Sequence, residues 1–66
     1  MDRYDLHIYF GDRELVVSYG TQNEALEVQE ILKAGGWYTV VDKLNNSASQ
    51  VNGNSISYME ITREVR

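Results

Sequence analysis

The chain of 66 residues contains no cysteine and no proline, and its six basic and ten acidic residues give a net charge of −4. Its length allows one domain, residues 1–66, in which neither a disulfide nor a thiolate metal site can form; with a single histidine, neither a metal nor a cofactor is expected. The acidic balance argues against duplex nucleic acid as a partner, because binding to phosphates requires a surplus of Lys and Arg.

Alternating apolar and polar side chains predict a strand over residues 4–10, and a turn at 11–13 leads into a second strand over 14–19. The two strands are expected to form a hairpin. One face of this hairpin consists of large apolar residues: Tyr4, Leu6, Ile8, Phe10, Leu15, Val17 and Tyr19. The opposite face carries Asp5, His7, Tyr9 and Val16.

A helix is the next predicted element. Thr21 and Glu24 have the spacing of a capping box, which indicates that the helix begins after Thr21. It continues to Ala34, and Gly35 is placed to adopt the left-handed conformation that closes it. The apolar stripe of the helix is predicted from spacings of three and four residues: Ala25, Val28, Ile31 and Leu32.

Three further strand-like segments cover residues 37–43, 48–51 and 56–63. An alternative is that residues 45–54 form a polar loop. The order is therefore β-β-α-β-β-β, or β-β-α-β-β with the loop. Either order predicts an α+β fold, a small and mostly antiparallel sheet with one helix packed on one face.

A small core and two apolar sheet faces predict self-association. At about 60 residues a domain buries only roughly 60% of the surface that its unfolded chain exposes. The helix covers one face, and the other is expected to expose Tyr9, Val16, Tyr38 and Val40. We therefore expect a homo-oligomer held by the uncovered sheet face, with edge-strand pairing as a second possible contact.

The sequence predicts no reaction centre. His7 shares its strand face with Asp5 and Tyr9, but cysteine is absent and no Ser lies in a nucleophile-elbow motif. We interpret His7 as a half-exposed structural residue and expect that the protein is not an enzyme. The acidic residues Glu24, Glu27 and Glu30 lie three apart on the helix and are interpreted as a solvated face.

The Tyr and Trp residues on the predicted strands exceed what one small core can hold: Tyr4, Tyr9, Tyr19, Trp37, Tyr38 and Tyr58. Tyr and Trp are enriched at protein interfaces, and their rings also stack on nucleobases. The rings therefore belong either to the core and a subunit interface or to a ligand site. The candidate ligand site combines rings with cations at strand ends: Arg13, Trp37, Tyr38, Lys43, Tyr58 and Arg63, with Arg66 as a further cation.

The C-terminal stretch Val51-Asn52-Gly53-Asn54-Ser55-Ile56-Ser57-Tyr58-Met59-Glu60, after the strand Gly35-Gly36-Trp37-Tyr38-Thr39-Val40-Val41, resembles a pattern common in small phage and prophage proteins. Those chains combine a hairpin, one helix and a sheet that ends in an isoleucine-rich strand. The resemblance concerns organisation, and it implies an accessory function such as inhibiting a host defence protein or sequestering a nucleotide signal.

Two binding functions follow as expectations. In the first, an oligomer sequesters a nucleotide-derived signal between subunits. In the second, the acidic residues Glu24, Glu27 and Glu30 occupy a basic surface of a host protein, helped by electrostatic steering. We expect a cytoplasmic protein, since no apolar run approaches a membrane span and residues 1–5 lack the apolar core of a signal peptide.

Overall fold

The computed structural model describes residues 2–65. In chain order its elements are β1 (Asp2–Phe10), β2 (Arg13–Tyr19), α1 (Gln22–Lys33), β3 (Trp37–Asp42), β4 (Ser47–Asn52), a short 3₁₀ helix (Gly53–Ser55) and β5 (Tyr58–Val65). This order confirms the predicted α+β class, and β4 excludes the alternative of a polar loop at 45–54.

The strands form two antiparallel sheets, whereas one sheet was expected. Three strands pair in the order β2-β1-β5, and β3 pairs with β4. Between β2 and β3 the amide of Ser18 donates to the carboxylate of Asp42, and no strand ladder joins the two elements in the described part of the chain. A side chain therefore connects the two sheets at this point.

The hairpin of β1 and β2 has the predicted alternation. Leu6 pairs with Val17 and Ile8 with Leu15, and a two-residue turn joins the strands, with Gly11 at a φ of 66°. A positive φ at the first turn position matches a hairpin turn that glycine accommodates without strain. Leu6 and Ile8 are fully buried, and His7 between them points to the opposite face.

Helix α1 begins as the capping box predicts. The amide of Glu24 donates to the Thr21 hydroxyl at 3.2 Å, and the Thr21 hydroxyl donates to the Glu24 carboxylate at the same distance. Ala25 and Leu32 are buried against the sheet, but Ile31 is exposed, so its predicted place in the buried stripe was wrong. The sheets cover only the side of the helix centred on Ala25 and Leu32.

The core lies between the three-stranded sheet, the helix and the β3-β4 hairpin. Its buried apolar residues are Leu6, Ile8, Val17, Tyr19, Ala25, Leu32, Val40 and Val51. Val40 was expected on an uncovered face, and this expectation was wrong because β3 turns Tyr38, Val40 and Asp42 inward. Trp37, Thr39 and Val41 form the exposed face of that hairpin.

Tyr19 packs in this core with its ring and its hydroxyl. Burial, with added effects of Tyr38, Asp42 and Glu24, raises the pKa of Tyr19 to about 12. Its hydroxyl has no hydrogen-bond partner among residues 2–65. Tyr19 therefore stays protonated across the physiological range, and its contribution is packing.

Candidate functional site

The outer face of the three-stranded sheet, which α1 does not cover, is mostly polar. Arg3 forms ion pairs with Glu64 and, at 3.2 Å, with Asp5, while the hydroxyl of Ser18 donates to Asp5 at 2.7 Å. Val16 is 41% exposed on this face. The expected apolar patch is therefore not found here: Val40 lies in the core, and Tyr38 is half-buried on the other hairpin.

His7 lies at the centre of this face and connects all three strands. Its Nδ1 is 2.8 Å from Oε2 of Glu14 on β2, and its Nε2 is 2.9 Å from Oγ1 of Thr62 on β5. The order hydroxyl, imidazole, carboxylate is that of a hydrolytic triad. Neither His7 nor Thr62 lines either of the two clefts described below, so neither cleft would place a substrate beside them. We therefore interpret the network as a set of hydrogen bonds that connects neighbouring strands.

Glu14 is shared between His7 and Tyr9. The hydrogen bonds from His7 and then from Tyr9 hold the pKa of Glu14 below its ordinary value. The same bond to Glu14 raises the pKa of Tyr9. The ring of Tyr9 also lies 5.5 Å from that of Tyr58, centroid to centroid. Tyr9 is thus part of the polar network and an aromatic pair.

The predicted ligand residues lie on separate surfaces of the chain. Tyr58 belongs to the outer face of the three-stranded sheet, whereas Trp37 and Tyr38 point to opposite sides of the β3-β4 hairpin. Two of the predicted cations already contact carboxylates: Nζ of Lys43 lies 3.4 Å from Glu24, and Arg63 lies 2.6 Å from Asp2. Arg66 is outside the described residues. One chain therefore does not assemble these groups into a single site.

Arg13 borders a cleft of about 280 Å³ between the start of β2 and β4. Its lining residues are Phe10, Arg13, Glu14, Leu15, Ser49, Gln50 and Val51. Ligand pockets for small molecules usually measure about 300–1,000 Å³. The cleft is therefore at the small end for a nucleotide within one chain.

The outward face of α1 forms a shallow groove of about 440 Å³, which is larger than the cleft beside Arg13. We call it the helix face; its residues are Asn23, Leu26, Glu27, Glu30 and Ile31. Leu26 is 41% and Ile31 is 43% exposed, which is high for large aliphatic side chains on a helix whose other side is packed. Glu27 and Glu30 are exposed beside them, and Glu30 pairs with Lys33 at 3.1 Å.

The helix face contains two of the three predicted partner-binding carboxylates. The third, Glu24, caps the helix and contacts Lys43, so its role is structural. Leu26 and Ile31 were not predicted as surface residues of this site. Their spacing of five, with Glu27 and Glu30 between them, was the available signal, because positions 23, 26, 27, 30 and 31 share one side of a helix.

Sequence reasoning also missed the partners of His7. Asp5 shares the strand face of His7, but Asp5 contacts Ser18 and Arg3. The hairpin register places Glu14 opposite Tyr9, and hence diagonal to His7. Long side chains on diagonal neighbours can reach each other, so the contact between His7 and Glu14 could have been predicted from the hairpin register.

Comparison with protein-family models, with curated proteins and with solved structures found no match to this chain. Among the described residues, no helix has the length and apolar character needed to cross a membrane.

Proposed function

We propose that this protein is a non-enzymatic binding module that docks on a protein partner through the helix face. The observation that supports the proposal is the exposure of Leu26 and Ile31 in a groove bordered by Glu27 and Glu30. Burying the exposed part of two aliphatic side chains would contribute about 1–2 kcal/mol to an association. The carboxylates of Glu27 and Glu30 favour a partner surface with positive charge.

The partner that fits this face is a protein surface with an apolar centre and basic residues around it. Opposite charges at the rim increase the association rate and exclude acidic competitors. The resemblance of the C-terminal stretch suggests a cytoplasmic, phage-type accessory protein, in which case the partner is a host defence protein.

Sequestration of a nucleotide signal is the second version of a binding function. It is favoured by Arg13 at the edge of the 280 Å³ cleft, with Phe10, Leu15 and Val51 among its lining residues. A second chain would have to add the stacking rings, since Trp37 and Tyr58 do not line this cleft. A nucleotide that raises the melting temperature of the wild type but not of Arg13→Gln would favour this version over the first.

We expect no turnover of ester substrates, although Thr62, His7 and Glu14 have the hydrogen-bond order of a triad. All three residues lie on the outer face of the three-stranded sheet, and of the three only Glu14 lines a cleft. Water is therefore not excluded from the three side chains. The measurement is hydrolysis of p-nitrophenyl acetate by wild type and by His7→Gln. Hydrolysis by the wild type above the buffer rate that His7→Gln abolishes would contradict the proposal.

We expect the helix face to bind a short amphipathic helical peptide of Leu and Lys. Backbone amide signals of residues 23–31 should shift on titration, and added salt should weaken binding because the attraction between charges is screened. The double variant Leu26→Gln and Ile31→Gln should bind about tenfold more weakly, the change that loses about 1.4 kcal/mol. NMR titration measures both effects.

The control peptide contains Leu and Glu in the same pattern and should leave these signals in place. Glutamine keeps a good helix propensity, so the double variant should retain the fold. Signals that shift mainly on another surface, or equal binding by the double variant, would show that the helix face is not the docking site.

A further inference from the structure

The free edge of β4 is the least protected strand edge of the structure. β4 pairs with β3 on one side and with no strand on the other among the described residues. Apart from the hydrogen bonds of the β3-β4 ladder, the backbone of residues 47–51 forms no hydrogen bond with another backbone group among residues 2–65. Unpaired amide and carbonyl groups along such an edge can accept an added strand.

In the described part of the chain, the other strands with an unpaired edge are β2, β5 and β3, and each contains at least one charged residue; β3 ends with Asp42, which faces β2. β5 contains Glu60, Arg63 and Glu64, and β2 begins with Arg13 and Glu14. β4, with the sequence Ser-Ala-Ser-Gln-Val-Asn, has no charged residue and no proline. Charges and prolines on edge strands prevent pairing between copies of a protein, and β4 has neither.

The distribution of charge along the chain favours a second copy of the protein as the partner of the β4 edge. Segment 37–52 contains one acidic residue, Asp42, and one basic residue, Lys43, so its net charge is zero. The whole chain has a net charge of −4, and the remaining residues therefore carry all of it. Two copies of the chain meet with the least electrostatic repulsion when they meet at this hairpin.

We propose that β4 pairs antiparallel with β4 of a second copy, so that two hairpins form one four-stranded sheet. In the four-stranded sheet, each copy pairs the backbone groups along the β4 edge that a single chain leaves open. A two-fold axis perpendicular to the sheet places the exposed faces of the two hairpins on one side, with Trp37, Val41 and Ala48 of each copy. The helix face is a different surface, and this inference does not depend on the proposed function.

The test is the mass of the full-length chain by sedimentation equilibrium over micromolar to millimolar concentration. The wild type should approach twice the chain mass of 7.6 kDa. Gln50→Lys introduces a like charge near the two-fold axis on an exposed side chain of β4, and it should raise the dissociation constant at least about tenfold. Val16→Asp, on the outer face of the three-stranded sheet, should leave the dimer intact.

Amide hydrogen exchange of the wild type provides a second readout that needs no variant. Exchange at residues 47–52 should slow as concentration rises, while exchange on β5 should not change. A wild type that remains a monomer at millimolar concentration would overturn the proposal. So would a dimer that Val16→Asp dissociates and Gln50→Lys does not, because the interface would then be the outer sheet face.

Discussion

Replacing Gly53 with alanine should destabilise the fold by about 3 kcal/mol, an effect of the size that overpacking a fixed backbone produces. A Cβ at this position would overlap the carbonyl oxygen of Leu32 and lie 3.0 Å from Cα of Gly35. Both contacts are backbone atoms, which cannot turn aside as a side chain can. The amide of Gly53 also donates to the carbonyl of Gly36 at 2.8 Å, so a shift would break this bond.

Urea denaturation followed by circular dichroism measures the change, and Gly20→Ala is the matched control. The nearest atom to a Cβ on Gly20 is a side-chain oxygen of Glu24 at 3.9 Å, which is ordinary contact. Gly20→Ala should therefore change the free energy of unfolding by less than about 1 kcal/mol. Equal stabilities for the two variants would show that the 3₁₀ helix does not pack on the end of α1 as described.

Replacing Asp42 with alanine should cost about 2–4 kcal/mol, since several donors lose a charged acceptor at once. Asp42 is 5% exposed. Its carboxylate accepts from the amide of Asn45 at 3.0 Å and from the Asn45 side chain at 2.8 Å. The amides of Ser18 and Leu44 add to these bonds. Asp42 thus closes the β3-β4 turn and attaches it to β2.

The same residue predicts a dependence of stability on pH. Burial by itself raises the pKa of Asp42, but the hydrogen bonds from Asn45, Ser18 and Leu44 outweigh it and hold the pKa below the ordinary value of 3.8. A lowered pKa in the folded state stabilises the protein above pH 3.8, and this contribution is lost as pH falls through the folded pKa.

Asp42→Asn separates this effect from that of other acids such as Glu14, whose pKa is also lowered. Between neutral pH and pH about 3, the wild type should lose more stability than Asp42→Asn, because the variant has no carboxylate to protonate. Urea denaturation at each pH measures the difference. Identical pH profiles would mean that the Asp42 carboxylate does not hold the turn.

Most of the fold was predictable from local patterns. The alternation of residues 4–10 and the capping box at Thr21 each specify a local structure, and both predictions were confirmed. The split into two sheets was not predictable, because it depends on which strands pair, and strands distant in sequence such as β1 and β5 meet only in the folded chain. Periodicity reports which residues alternate, and it does not report which strands pair.

The site was less predictable for a related reason. The spacing of apolar residues along a helix does not show how much of the helix the sheets will cover. Ile31 was therefore predicted in the core, although the sheets do not cover it. The candidate cations were chosen for their type, but Lys43 and Arg63 had nearby carboxylates that only the tertiary fold brings into contact. The exposure of Ile31 and the ion pairs of Lys43 and Arg63 all depend on contacts between residues that are distant in sequence.

Capture of proteins from a cell extract by three matched baits tests the docking role of the helix face most directly. The baits are wild type, Ile31→Gln, and Val16→Thr, which alters an equally exposed aliphatic residue on the other side of the molecule. We predict a protein that wild type and Val16→Thr retain equally and that Ile31→Gln loses, as quantified by mass spectrometry. A captured set that is the same for all three baits, or that only Val16→Thr depletes, would contradict binding through the helix face.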